Sequence, residues 1–214
     1  MNKSEIIDIS IPLSKKLPVW PNGFGINISS LATIGNKSDA NVSRLDIDVH
    51  SGTHIDAPLH FIENGKTTNE INLDRLIGDC FLVELPKNLL TIQRTDLENL
   101  NIPNNTTRLL LKTYNSFNNL WDNQTFDKEF CAISADAAEW LVEQKIDLIG
   151  IDYCSIQKFY DPPTTHQIIL NNNIIILEGL DLRNVTGGMY KLTCLPISIL
   201  GIEGVPVRAI LQKI

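Results

Sequence analysis

Three of the chain's four histidines, His50, His54 and His60, fall within eleven positions, and Asp56 stands among them. The stretch reads Val-His-Ser-Gly-Thr-His-Ile-Asp-Ala-Pro-Leu-His-Phe over residues 49–61. Imidazoles and a carboxylate at such short, uneven intervals suit zinc, manganese or iron better than calcium or magnesium, so the first reading is a metal site. His50 and His54 are four apart, a spacing that on a helix would place both rings on one face. The residues around them argue against a helix. Gly52 is a poor helix former, Thr53 is β-branched, and Pro58 disfavours the α conformation at Ala57, so the segment reads as a strand end running into an irregular turn.

Upstream, Val42, Leu45, Ile47 and Val49 interleave with Arg44, Asp46 and Asp48, the pattern of a half-buried strand that delivers the ligands to a loop. A single histidine is more often an ordinary core or surface residue than a ligand. Four candidate groups this close together, in a chain otherwise nearly free of histidine, shift the weight to a site.

The remaining chain reads as one domain over residues 1–214, long enough to bury a substantial core, with no repeats, low-complexity tails or linkers. Strands are expected over residues 6–13, 25–34 and 43–49, then over 80–85 and 109–112, with a short helix over 95–100 between the last two. One helical turn over 73–77 is expected to end at Gly78. Residues 115–127, rich in Asn and aromatics, read as a surface excursion. Ser134 is a good N-cap for a helix over 135–144, and Leu148-Ile149-Gly150-Ile151-Asp152 follows as a buried strand with an acid at its carboxyl end. That helix-then-strand order is α/β in character. Thr164 or Thr165 could cap a short helix carrying His166.

A β-branched run over 174–177 ends on Glu178. A carboxylate after Ile-Ile-Ile-Leu risks burial, which is costly unless the charge is paired or metal-bound; the plainer alternative is that Glu178 emerges into solvent.

A net charge of −7 and a pI near 5.0 offer nothing to attract nucleic acid or an anionic membrane. Cys80, Cys131, Cys154 and Cys194 are scattered, with no C-x-x-C pair. Met1-Asn2-Lys3-Ser4-Glu5 lacks the apolar run of a signal peptide, and no stretch approaches the length of a membrane span. Reduced thiols in a cytoplasm are therefore expected.

His-Ser-Gly-Thr-His-Ile-Asp-Ala-Pro-Leu-His-Phe, from His50 to Phe61, resembles the H-x-G-T-H-x-D-x-P-x-H signature of the cyclase-like metal-dependent hydrolases, a family that includes bacterial kynurenine formamidase and isatin hydrolase. Further landmarks follow in family order: Asp8-Ile9-Ser10 with Pro12-Leu13, Val19-Trp20-Pro21, Leu76-Ile77-Gly78, Gly150-Ile151-Asp152, Leu177-Glu178-Gly179-Leu180 and Pro206-Val207-Arg208. The resemblance covers essentially the whole chain. It implies an α/β architecture with a mixed sheet, of the swivelling β/β/α type, and a homodimer or larger homo-oligomer.

For the site, the resemblance implies two divalent metal ions per chain, zinc first and manganese second. His50, His54, Asp56 and Glu178 would hold one, and Asp56, His166 and Glu178 the other, with a hydroxide bridging them as nucleophile. His60 would act as proton donor and acceptor, and Trp20 would contact a small-molecule substrate at the site mouth; from composition alone Trp20 reads first as core packing. The implied reaction is hydrolysis of a non-peptide carbon–nitrogen bond in an amide, with an N-formyl aryl amide, as in kynurenine formamidase, the leading substrate. A cyclic amide, as in isatin hydrolase, and a metal-holding binding or regulatory module without turnover are the alternatives. Two further constellations are weaker: a Cys154 thiol nucleophile, and a single iron held by His50, His54 and Asp56 for oxygen chemistry.

Overall fold

A computed structural model of the chain describes residues 5–214, so the first four residues of the amino-terminal stretch read above lie outside it. The strands run β1 (Ile6–Asp8), β2 (Ile26–Ala32), β3 (Val42–Ile47), β4 (His54–Asp56), β5 (Ile77–Glu84), β6 (Thr91–Ile92), β7 (Arg108–Lys112), β8 (Ala132–Ile133), β9 (Leu148–Ile151), β10 (Ile175–Glu178), β11 (Gly188–Pro196) and β12 (Gly204–Lys213). The helices are α1 (Arg94–Glu98), α2 (Tyr114–Phe117), α3 (Ala135–Glu143) and α4 (Thr164–Asn171).

Eight strands form one sheet in the order β1-β12-β11-β5-β7-β9-β10-β4. Because β4 pairs with both β10 and β12, seven of them close into a barrel and β1 extends from β12 outside the ring. The sheet is mixed. β5, β7, β9 and β10 are parallel neighbours, whereas β11, β12 and β4 join antiparallel. Parallel neighbours need crossovers, and α3 and α4 lie in two of them. This is the α/β, mixed-sheet class that the resemblance implied.

The period-2 alternation of strands sorts the side chains into two cores. Ile55, Leu82, Leu110, Leu148, Leu177, Leu192, Val205 and Leu211 point into the barrel. Their sequence neighbours Leu109, Leu111, Ile149, Ile151 and Ile176 point outward and pack against Ala137, Ala138 and Leu141 of α3 and Ile169 and Leu170 of α4. Burying each such side chain contributes about 1.5–3 kcal/mol before the entropy of ordering it. Gly150 is required inside the barrel, where an added Cβ would overlap Leu110 Cδ2.

Several expectations are corrected. Residues 54–56 are a strand rather than a loop; β4 is only three residues long, and its two ladders hold it where its own length could not. β3 is mostly exposed, with Leu45 at 50%, because it pairs only with β2 in a separate two-stranded sheet. Gly78 lies within β5 rather than closing a helix. Within 115–127, Asn115, Ser116, Leu120 and Trp121 are buried, and the Trp121 indole donates to the Leu180 carbonyl at 3.0 Å. This segment packs with Phe130 and Tyr153 into a third small core. Ser134 begins α3, but its hydroxyl donates to the Ile92 carbonyl at 2.9 Å instead of capping. Pro163 precedes α4, so Thr164 and Thr165 are its first residues rather than its caps. No helix among the described residues is long and apolar enough to cross a membrane.

Candidate metal centre

Since Ile55 points into the barrel, His54 and Asp56 must point out of it, on the same side as α4. The β10 register places Glu178 opposite His54 and Ile176 opposite Asp56, so Glu178 also faces outward beside His54. It has not emerged into solvent: Glu178 is 3% exposed. His54 Nε2 lies 3.3 Å from Glu178 Oε2 and 3.5 Å from Asp56 Oδ1.

The other three imidazoles arrive from separate elements. His50 sits in the turn before β4 and its Nδ1 is 2.8 Å from Asp56 Oδ1. His60 ends a 3-10 turn over Pro58–His60, and its ring stacks on that of His50 with centroids 3.9 Å apart. His166 projects from α4, with Nε2 3.4 Å from Glu178 Oε1 and 3.9 Å from Asp56 Oδ2. The structure thus brings all four histidines and both acids to one place.

Residues that the sequence reading passed over hold these groups in position. Gln157 Oε1 lies 3.3 Å from both His166 Nδ1 and the His166 backbone N–H, which directs Nε2 toward the carboxylates. The Gly52 carbonyl lies 2.9 Å from His54 Nδ1 and does the same for His54. The Ile156 N–H donates to Glu178 Oε1 at 2.6 Å. The Thr53 hydroxyl donates to the Gly179 carbonyl at 2.6 Å and accepts the Ile11 N–H at 2.8 Å, tying the turn to the β10 end. None of these contacts has a local sequence signal, because each joins residues brought together by the barrel.

The donor set fits a divalent cation. With Nδ1 of His54 donating to Gly52, the neutral ring turns its Nε2 lone pair toward two carboxylates, an arrangement that calls for a positive charge between them. His54 Nε2 and Asp56 Oδ2 are buried and lack hydrogen-bond partners, as does His50 Nε2. A proton can supply the charge: burial opposes the His54 imidazolium, but the adjacent Glu178 and Asp56 carboxylates outweigh it and raise its pKa to about 9. Burial likewise works against the Asp56 carboxylate, yet His50, His60 and His54 hold its pKa below the usual range. Two groups of ligand atoms lie close enough to share an ion, His54 with Asp56 and Glu178, and His50 with Asp56 and His60. His60 therefore stands within a possible ligand set as well as at the cavity wall.

A cavity of about 460 Å³ opens over this cluster, within the size range of small-molecule sites. Its walls include Trp20, Asp48, His50, His60, Phe61, Cys154, His166, Glu178 and Glu203. Trp20 is 42% exposed there, propped by Phe126 at 5.2 Å and Phe159 at 5.0 Å, and so belongs to the mouth rather than to the core. Cys154 does not form a nucleophilic pair: burial pushes its thiol pKa well above the ordinary value, and its sulfur contacts the Pro18 carbonyl at 3.8 Å. Asp152 turns away from the cluster and accepts hydrogen bonds from Thr113 and Ser116.

The chain is similar to several known proteins over nearly its whole length. "Cyclase-like protein 3" of Arabidopsis thaliana is 41% identical over 98% of this chain and 80% of its own length. "Kynurenine formamidase" of Sphingopyxis alaskensis is 35% identical over 99% of both. Among solved structures, one described as a potential metal-dependent hydrolase with cyclase activity superposes with a TM-score of 0.84 at 33% identity, covering 98% of each chain. Isatin hydrolase A from Ralstonia solanacearum shares the fold, with a TM-score of 0.81 at 18% identity over 98% of this chain and 92% of its own.

Fold, site and relatives define a hydrolase-type enzyme family with candidate metal-binding groups at its centre. The family profile described as "Putative cyclase" matches residues 7–158, and the chain belongs to that family.

Proposed function

We propose that this protein is a metal-dependent hydrolase that cleaves the carbon–nitrogen bond of a non-peptide amide, with an N-formyl aryl amide of the kynurenine formamidase kind as substrate. The observation that carries the reading is the pair of buried, unpartnered atoms His54 Nε2 and Asp56 Oδ2 beneath a cavity walled by His60 and Trp20. His50, His54, Asp56, His166 and Glu178 would hold two divalent ions, zinc or manganese. Such ions supply an acidified water, with a pKa lowered toward roughly 7, and a Lewis acid for the amide carbonyl.

The chain's own groups then account for the proton traffic. Burial lowers the His60 pKa to about 4 despite the opposing charge of Asp56, so its ring is neutral at pH 7 and free to accept a proton from the attacking water. The same ring, once protonated, is a strong donor to the leaving nitrogen, which must be protonated for the carbon–nitrogen bond to break. The aromatic side chains of Trp20 and Phe61 in the cavity wall suit a flat aryl group.

Turnover of N-formyl anilines by the zinc- or manganese-loaded protein tests the reading. The His60→Ala variant should retain its metal and lose at least about 100-fold in kcat. Ligand binding without turnover in the unaltered protein would instead favour a binding or regulatory module, and turnover of cyclic amides alone would favour the isatin hydrolase kind.

A homodimer in the cytoplasm completes the proposal. In support, the β2–β3 hairpin carries exposed Ile28, Leu31, Val42 and Leu45, apolar surface suited to a second copy, and all four thiols are free. Sedimentation of the purified chain tests the assembly.

A further inference from the structure

We propose that Glu203 is a specificity-determining residue whose carboxylate pairs with a cationic group on the substrate, so that the cavity selects aryl amides bearing an ammonium over those bearing a carboxylate. The amide as reacting group rests on the hydrolase reading above; the charge selection does not.

Apart from the candidate metal ligands, the charged side chains on the cavity wall are acids. Asp48, Glu178 and Glu203 line it, and no lysine or arginine does among the described residues. Lys128 lies over the Phe159 ring at 4.9 Å, behind Trp20, and is not part of the wall. Two of the three acids are already engaged. Asp48 Oδ2 accepts the Gly25 N–H at 3.0 Å, and Glu178 accepts the Ile156 N–H while facing His54 and His166. Glu203 is the exception. Its side chain is 39% exposed, and its Oε1 lies 3.6 Å from His50 Nε2, beyond hydrogen-bond distance.

The backbone beneath Glu203 is nevertheless fixed. Its carbonyl accepts the Ala57 N–H at 2.8 Å, and the next residue, Gly204, opens β12 so close under the His50 ring that an added Cβ would overlap it. The carboxylate is thus presented from a rigid strand end beside the His50 ring, in a cavity that Trp20 and Phe61 also line. A carboxylate in that place favours a cation and disfavours a second carboxylate.

The test uses three anilines that differ only in the ortho substituent, aminomethyl, hydroxymethyl or carboxylate, together with their N-formyl derivatives. Binding of the anilines is measured by calorimetry to metal-loaded and to metal-stripped protein, and kcat/KM is measured on the formyl compounds. A partly exposed pair predicts an aminomethyl preference of about fivefold over hydroxymethyl, with the carboxylate weakest, and a ratio below about twofold in Glu203→Gln. Equal losses for all three ligands in Glu203→Gln would overturn the proposal and make Glu203 a positioning residue for His50. A carboxylate preference in the unaltered protein would overturn it without any variant. The expected binding order with no turnover of any formyl compound would sink the hydrolase reading and leave the charge selection standing.

Discussion

Gly179 lies so close against Gly52 that a Cβ added to Gly179 would overlap the Gly52 carbonyl oxygen. That oxygen is also the one facing His54 Nδ1, and Gly179 directly follows Glu178. Two segments that carry candidate ligands and lie far apart in sequence are thereby held in contact by the absence of a side chain. Gly179 also has φ +74°, a conformation that costs other residues free energy. Gly179→Ala should destabilise the protein by about 2–4 kcal/mol and lower its metal content. Gly35→Ala supplies the control, because Gly35 has φ +84° but open space around it. Thermal unfolding and elemental analysis of both variants check the point; equal effects would mean that backbone strain, not the contact with Gly52, is at stake.

Removing the Glu178 charge should empty much of the metal centre, because this carboxylate faces both His54 and His166. Protein reloaded with zinc or manganese should hold close to two ions per chain, and Glu178→Gln one or fewer. Elemental analysis of the two proteins side by side settles the count. A value near one in the unaltered protein would revive the single-ion alternative.

Protein stripped of metal should lose stability in alkali. The His54 pKa is raised to about 9 from an unfolded value near 6.5, so its contribution is fully present below pH 6.5 and is lost as the pH rises through 9. Asp56, held down chiefly by His50, and Glu178, held down chiefly by His166, lose their contributions only in acid and add nothing over this interval. Urea unfolding of stripped protein should give a stability lower by up to about 3 kcal/mol at pH 9.5 than at pH 6.5. Over the same interval metal uptake should strengthen, since the ion displaces that proton. A stripped protein more stable at pH 9.5 would contradict this account.

Asp152 should matter to stability and not to metal. It is wholly buried and accepts from the Thr113 N–H at 2.8 Å, the Thr113 hydroxyl at 2.6 Å and the Ser116 N–H at 3.1 Å, pinning the start of α2 beneath the end of β9. Asp152→Ala strands those donors and should cost about 3–5 kcal/mol, lowering Tm by roughly 6–20 °C in a chain of this size. Calorimetry and elemental analysis would show a lower Tm with the metal content of the surviving folded protein retained. Loss of metal in folded protein would place Asp152 in the centre after all.

Trp20→Ala should weaken substrate binding more than turnover. The indole lines the cavity mouth rather than reaching the buried acids, so KM should rise about tenfold or more with a smaller change in kcat. An equal fall in kcat and kcat/KM would assign Trp20 to the reacting geometry instead.

The chain's own order of residues determined the chemistry available and most of the elements that carry it. The clustering of His50, His54, Asp56 and His60 announced a centre, and short apolar runs marked β5, β7, β9 and β10, because both signals are local. The alternation of Tyr190, Leu192 and Cys194, then of Val205, Val207, Ala209 and Leu211, is an equally local signal for β11 and β12. Only the tertiary structure decided that residues 54–56 are a strand, since three residues have no readable period and take their conformation from β10 and β12. It also decided which face is buried. One residue of register would have sent His54 and Asp56 into the apolar barrel and Ile55 to the site. Gln157, Gly179 and Glu203 acquire their places through contacts across the closed sheet, which depend on strand order and register rather than on neighbours in the chain.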